Sequence, residues 1–219
     1  MNRPEENTEI EMYNSESTPI PTNYSCLYNG VIHPFTRMVI YGAIWYQGEA
    51  NGGPIIDRYA CSFARMITRW REIWNNRTNG NTDSQFPFGF VQLGTEPNNT
   101  ESIGSKTVTR WLQTFRIGYV PNDVVPKVFM AVACDLRDDP HGVHTATKED
   151  VGYRLSRSGL AVAYGKPVEF QGPLVQNISY INGGTTLNLT YRSVSSIGEL
   201  RSYNGFDVSS LFLLLFRQK

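Results

Sequence analysis

Cysteine is scarce in these 219 residues: Cys26, Cys61 and Cys134 are the full complement, and no two stand in CxxC spacing. Three cysteines cannot all pair with one another within the chain, and the spacing argues against a thiolate metal site. A surplus of charge is also missing, because twenty Lys and Arg balance twenty Asp and Glu. Without it there is no electrostatic case for nucleic acid or an anionic membrane, and a neutral or locally recognised ligand is expected. Long apolar runs are absent too. Leu211 to Phe216 falls far short of the roughly 20 residues of a membrane span. Met1 to Ser17 is polar and acidic with no apolar stretch of signal-peptide type, although sequons at Asn23, Asn76, Asn98, Asn177 and Asn188 hint at secretory passage.

What the chain does have is a 40% hydrophobic content, enough for one domain with a small appendage. Residues 1–22 carry five glutamates, three asparagines and three prolines with almost no aliphatic side chains, and they are expected to be a flexible lead-in. Tyr24 to Phe35 has apolar residues at helical spacing with Pro34 as its stop. A strand is then expected over 38–46, a helix over 57–74 with Tyr59, Phe63, Met66, Ile67, Trp70 and Trp74 on its buried stripe, and a strand over 86–93. Val108 to Tyr119 reads as a second amphipathic helix, and Lys127 to Ala133 as a strand buried on both faces. Thr147 is the expected cap of a further helix whose buried side is Val151, Leu155, Leu160 and Ala163 and whose end is Gly165. Beyond it, short strands are expected at 168–170, 178–181 and 187–191, the last two around Asn182-Gly183-Gly184. The domains are thus 1–22, an α/β unit over 23–165, and a β-rich segment over 166–219.

Two polar clusters follow two of these strands: Gln47-Gly48-Glu49 with Asn51, and Asp135 to His144. In a parallel sheet both emerge at the same edge, where ligands sit beyond the carboxyl ends of strands. Gly48 has no side chain, so its N–H can approach a developing oxyanion, and the Gln47 amide can supply a second donor. A histidine beside an aspartate can take a proton from a hydroxyl, because the carboxylate fixes the tautomer and stabilises the imidazolium. Asp139 is the chosen partner of His144, with Asp138 and Asp135 as alternatives; Pro140 and Gly142 favour the turn that brings them close. Glu49 either binds substrate hydroxyls or holds backbone N–H groups, the second being preferred. His33 is read as structural, and the four tryptophans as core, with Trp45 alone adjoining the site. His141 as a metal partner of His144 and Asp139 is a weak reading, and Arg137 is read as a solvated loop residue.

Leu27-Tyr28-Asn29-Gly30-Val31-Ile32-His33-Pro34, Trp45-Tyr46-Gln47-Gly48-Glu49-Ala50-Asn51, Phe86-Pro87-Phe88-Gly89-Phe90-Val91-Gln92-Leu93, and Met130-Ala131-Val132-Ala133 leading to Gly142-Val143-His144 together resemble the sialate O-acetylesterases. These are carbohydrate esterases among the SGNH (GDSL-like) hydrolases. The resemblance covers residues 24–192. It implies a flavodoxin-like three-layer fold, oxyanion donors at Gln47 and Gly48, a general base at His144, and hydrolysis of acetyl esters on sialic acid through a serine acetyl-enzyme.

The family's serine lies on a Gly-rich block upstream of the Leu-Tyr-Asn segment, and residues 1–27 contain neither a GDS-like nor a GQSN-like element. The expectation is a flavodoxin-like fold lacking its first, nucleophile-bearing strand, with a small C-terminal β appendage, inactive alone. No cofactor or metal is expected. The partner is an O-acetylated sialic acid or sialoglycan, and the compartment lysosomal or extracellular. The alternative is a non-catalytic glycan-binding remnant of the same fold.

Overall fold

The computed structural model describes residues 25–51, 56–94, 105–136 and 148–192. Its centre is a three-stranded parallel sheet of β1 (Ala43–Trp45), β2 (Phe88–Gln92) and β3 (Val128–Val132), in that order. Helix α1 (Tyr59–Arg77) links β1 to β2, α2 (Ser105–Gln113) lies between β2 and β3, and α3 (Glu149–Val162) follows β3. A separate antiparallel hairpin, β4 (Val175–Ile181) with β5 (Thr186–Tyr191), comes last.

The register explains the layers. Ala43, Phe88 and Val128 share one rung, as do Trp45, Phe90 and Met130, and these face α1. Phe63 of α1 stands edge-on to both Phe88 and Phe90 and stacks on Phe115 beyond α2, and Trp45 meets Trp70 edge-on at 5.5 Å. Such pairs add about 1 kcal/mol each to the burial of their area. The intervening rung of Ile44, Gly89 and Phe129 faces the other way, toward α3. A Cβ on Gly89 would lie 2.4 Å from the Phe129 ring, so glycine is what lets that ring lie across β2. Sheet, α1 with α2, and α3 thus form three layers. Phe86, Phe88, Phe90 and Val128 are wholly buried, as expected for parallel strands covered on both faces.

Several expectations need correction. The strand expected over 38–46 is only Ala43–Trp45: Met38, Val39 and Tyr41 are exposed, and the preceding backbone is anchored instead by Ile40 N–H donating to Thr82 Oγ1. Pro34 does not stop a helix, because a π turn at Tyr28–Ile32 passes into a 3₁₀ turn at His33–Arg37, whose first turn accommodates it. Helix α1 starts two residues later than expected, after a 3₁₀ turn, and runs on to Arg77. Helix α2 ends at Gln113 rather than Tyr119, since Phe115 and Arg116 take left-handed φ of 60° and 66°. Residues 168–170 form no strand; the Glu169 and Phe170 carbonyls accept from Arg157 and Ser158 of α3. Thr147 and the lead-in 1–22 lie outside the described residues. Gly165 does end the α3 region, with φ of 62° and its N–H on the Ala161 carbonyl.

At the amino end of the sheet, Arg71 of α1 is buried, with 4% exposure. Its guanidinium donates twice to the Phe86 carbonyl, at 2.8 and 3.0 Å, and once to the Pro126 carbonyl at 2.9 Å. Burial pulls its pKa below the usual arginine value, against the opposing pull of Asp83. One side chain therefore pins the entries of β2 and β3. Replacing it with methionine keeps the bulk and orphans two carbonyls, so Arg71→Met should cost about 3 kcal/mol in urea unfolding.

Candidate active site

Trp45 ends β1, and the chain turns at once through Gln47 and Gly48. Gly48 is buried with φ of 139°, and a Cβ there would lie 3.1 Å from Leu93 Cδ1 and 3.2 Å from the Tyr59 hydroxyl. Conformation and space both select glycine. The Asn51 N–H closes the turn on the Gly48 carbonyl at 3.1 Å, while the Gln47 side-chain amide donates to Asn51 Oδ1. An amide nitrogen carries two hydrogens, so this bond orients Gln47 and still leaves one donor. The Glu49 carbonyl accepts from Lys106 of α2.

Behind the turn stands Gln113, fully buried on α2. Its oxygen accepts the Leu93 N–H at 3.0 Å, and its nitrogen donates to the carbonyls of Val91 at 3.1 Å and Gln47 at 3.4 Å. A single amide thereby ties the carboxyl end of β2 to the corner after β1. Tyr59 is also buried beneath this corner, and its phenol is pushed up from 10 to about 12, chiefly by burial, with Gln113 opposing and Glu49 adding.

At the carboxyl end of β3, Asp135 accepts two bonds from Arg154 of α3 at 2.6 and 2.7 Å, and Arg154 also donates to the Val132 carbonyl. The carboxylate raises the Arg154 pKa. Asp135, one of the alternatives considered for orienting His144, is thus engaged with Arg154. His144, Asp139, Asp138, His141 and Arg137 lie outside the described residues. The segment holding them is bracketed by two residues that converge on β1. Tyr46 packs against the cluster of Val91, Ala133, Leu136 and Val151, and the Lys148 ammonium lies 5.0 Å from the Tyr46 ring centroid. Both ends of 137–147 therefore adjoin the residue immediately before Gln47.

Two other expectations shift. Trp45 sits on the α1 face in the core, edge-on to Trp70, rather than lining the cleft. His33 begins a turn instead of ending one, and it contacts the Arg77 guanidinium. Lys106, Gln113 and Tyr59 carry much of the corner's geometry and were not singled out from the sequence. Among the described residues, no group of three His, Cys, Asp or Glu could hold a metal ion, and no helix is long and apolar enough to cross a membrane.

No family model matches the chain. It is 42% identical over 193 residues to the sialate O-acetylesterase of Mus musculus, covering 86% of this chain and 36% of that protein. The sialate O-acetylesterase of Homo sapiens is 42% identical over 180 residues, covering 80% and 34%. Over these residues, the chain belongs to the sialate O-acetylesterase family. A solved carbohydrate acetylesterase from Xanthomonas citri aligns with a TM-score of 0.62 at 29% identity, covering 75% of this chain and 35% of that one. The chain spans about a third of the length of the relatives it matches.

Replacing Gln113 with leucine keeps its volume but orphans a buried N–H and two carbonyls. Gln113→Leu should lose about 2–3 kcal/mol in denaturant unfolding. Tyr59 makes a separate prediction. A folded-state pKa raised from 10 to about 12 contributes stability that is whole below pH 10 and is lost as pH rises toward 12, by up to ~3 kcal/mol. Alkaline unfolding should show this loss in the native chain and lack it in Tyr59→Phe.

Proposed function

We propose that these residues form the oxyanion and general-base side of a serine-type esterase that removes O-acetyl groups from sialic acids. The observation that carries this reading is the convergence on Tyr46. The corner bearing Gln47 and Gly48 adjoins both ends of the 137–147 segment, in a chain 42% identical to sialate O-acetylesterases. In this reading, a serine hydroxyl attacks the acetyl carbonyl while His144 takes its proton and Asp139 orients the imidazole. The Gly48 N–H and the second hydrogen of the Gln47 amide receive the oxyanion. Glu49 and Asn51 line the sugar side, with Asn51 also fixing the Gln47 rotamer. The acetyl-enzyme is then released by water under the same base, and no metal or cofactor enters the scheme.

The serine comes from outside residues 1–219, so the α/β unit over 23–165 is part of the hydrolase domain and lacks the strand carrying that serine. The hairpin within 166–219 belongs to a larger β-rich segment. The purified 219-residue chain should release no acetate from an O-acetylated sialoside beyond its His144→Ala variant. In a full-length polypeptide containing these residues, Gln47→Ala should lower kcat about 10²-fold, the scale of one lost oxyanion donor. Unchanged turnover in full-length His144→Ala would overturn the assignment.

The compartment proposed is the secretory pathway, lysosomal or extracellular. In the hairpin register, Asn177 stands opposite Thr190 and Asn188 opposite Ser179, so both sequons share one polar face. Ile178, Tyr180, Leu187 and Leu189 share the other. Expression behind a secretory signal should attach N-glycan at Asn177 or Asn188, read as a glycosidase-sensitive mass shift that disappears in the Asn177→Gln/Asn188→Gln double variant.

A further inference from the structure

Strand β1 is an edge strand among the described residues, since its one ladder partner there is β2. It is a poor edge by ordinary standards. Protected edges carry charge, proline or a covering helix, whereas Ala43-Ile44-Trp45 carries none of the first two, and Ile44 is 69% exposed. Met38, Val39 and Tyr41 extend the same bare margin.

On the α3 side of this edge runs a groove of about 790 Å³. Ile44 and Phe129 form its floor, Ile40 one end, and Leu155, Leu160 and Tyr164 its far wall. The apolar stripe of α3 thus reaches past the sheet: Val151 is covered, but Leu160 is 41% exposed. The end of the groove is built. The Tyr41 hydroxyl donates to the Ala163 carbonyl at 2.6 Å, and the Tyr41 and Tyr164 rings stack at 5.0 Å. Backbone needing a ladder partner lies beside an apolar channel needing a covering layer. A strand followed by a helix satisfies both, as α3 after β3 does on the neighbouring part of the same face.

We infer that this edge and groove are the docking surface for a strand-and-helix segment of the full-length protein that lies outside residues 1–219. The strand adds to β1, and the helix lays its apolar face between Ile44 and Leu160. Three observations favour this occupant. About two thirds of each matched relative lies beyond the matched stretch. Residues 1–22, with five glutamates and almost no aliphatic side chains, have the wrong chemistry for an apolar channel. A second copy pairing through a three-residue strand would make a short ladder and leave the groove uncovered. The inference rests on the proposal that the nucleophile is supplied from outside this chain, and it places that supply beside β1, the strand that runs into Gln47 and Gly48.

The test is co-expression of the 219-residue chain with a tagged polypeptide comprising the part of the mouse relative N-terminal to its matched 193 residues. A 1:1 complex on size exclusion is expected. Ile44→Asp should reduce its yield at least about tenfold, as loss of a central apolar contact does, with the melting curve of the 219-residue chain unchanged because Ile44 is already exposed. Ile178→Asp on the hairpin should leave the complex intact. Absence of a complex, indifference to Ile44→Asp, or a homodimer that Ile44→Asp dissociates would each overturn the proposal. Should the mouse segment be insoluble alone, it is fused ahead of Met1 by a flexible linker. Amide exchange over 39–45 should then slow at least about 100-fold, and unchanged rates overturn docking. Acetate release is scored separately, so a complex without turnover counts against the esterase reading and leaves the docking surface standing.

Discussion

A buried amide must find partners or exact a cost of several kcal/mol, and Gln113 finds three in backbone segments far apart in sequence. It accepts from Leu93 and donates to Val91 and Gln47. Strands in a parallel sheet lose their ladder where they end, and backbone groups there need other company. Gln113 supplies it at the point where the two strands hand over to loops. The consequence is mechanical. The corner bearing Gln47 and Gly48 is fastened to helix α2, and Lys106, from the first turn of the same helix, holds the Glu49 carbonyl. A loop that would otherwise wander is referenced to rigid secondary structure, as preorganised donors require.

The sheet is fastened at both ends by arginines with different surroundings. Arg71 at the amino end is buried and meets only neutral carbonyls in its printed contacts, so desolvation lowers its pKa. Arg154 at the carboxyl end is half-buried and meets a carboxylate, so its pKa rises. Both use the guanidinium fork to reach more than one acceptor, a geometry lysine cannot reproduce. The first arginine serves strand entry alone. The second fixes Asp135, the residue from which the chain proceeds toward 137–147, and so bears on where that segment starts.

Much of this was legible in the sequence, for particular reasons. The runs at 86–93 and 127–133 are apolar without alternation because both faces are covered, and they became β2 and β3 with ends trimmed by a residue or two. The turn at Gln47-Gly48 was legible because a glycine interrupts a β-favouring run. Residues 38–46 misled for the converse reason: their β-favouring side chains suggest a long strand, yet without neighbours on both sides only three residues join the ladder. The 108–119 helix overshot because left-handed φ at Phe115 and Arg116 leaves no mark in an apolar period. Gln113, Lys106 and Tyr59 were invisible because a single polar residue in an amphipathic helix carries no periodic signal, and Gln113 acts on a residue 66 positions away.

The stretch of apolar side chains that overstated the strand is itself informative. Met38, Val39, Tyr41 and Ile44 have the composition of sheet interior and the exposure of surface, a conflict that folded chains avoid unless something covers it. The side of β1 facing α1 shows no such conflict, for Trp45 lies against Trp70. The mismatch is confined to one edge and one face of one strand. That strand leads directly into the corner that Gln113 holds, so whatever completes its ladder also stiffens the approach to Gln47 and Gly48. Completion of the sheet and alignment of the oxyanion donors are, in this geometry, one structural event.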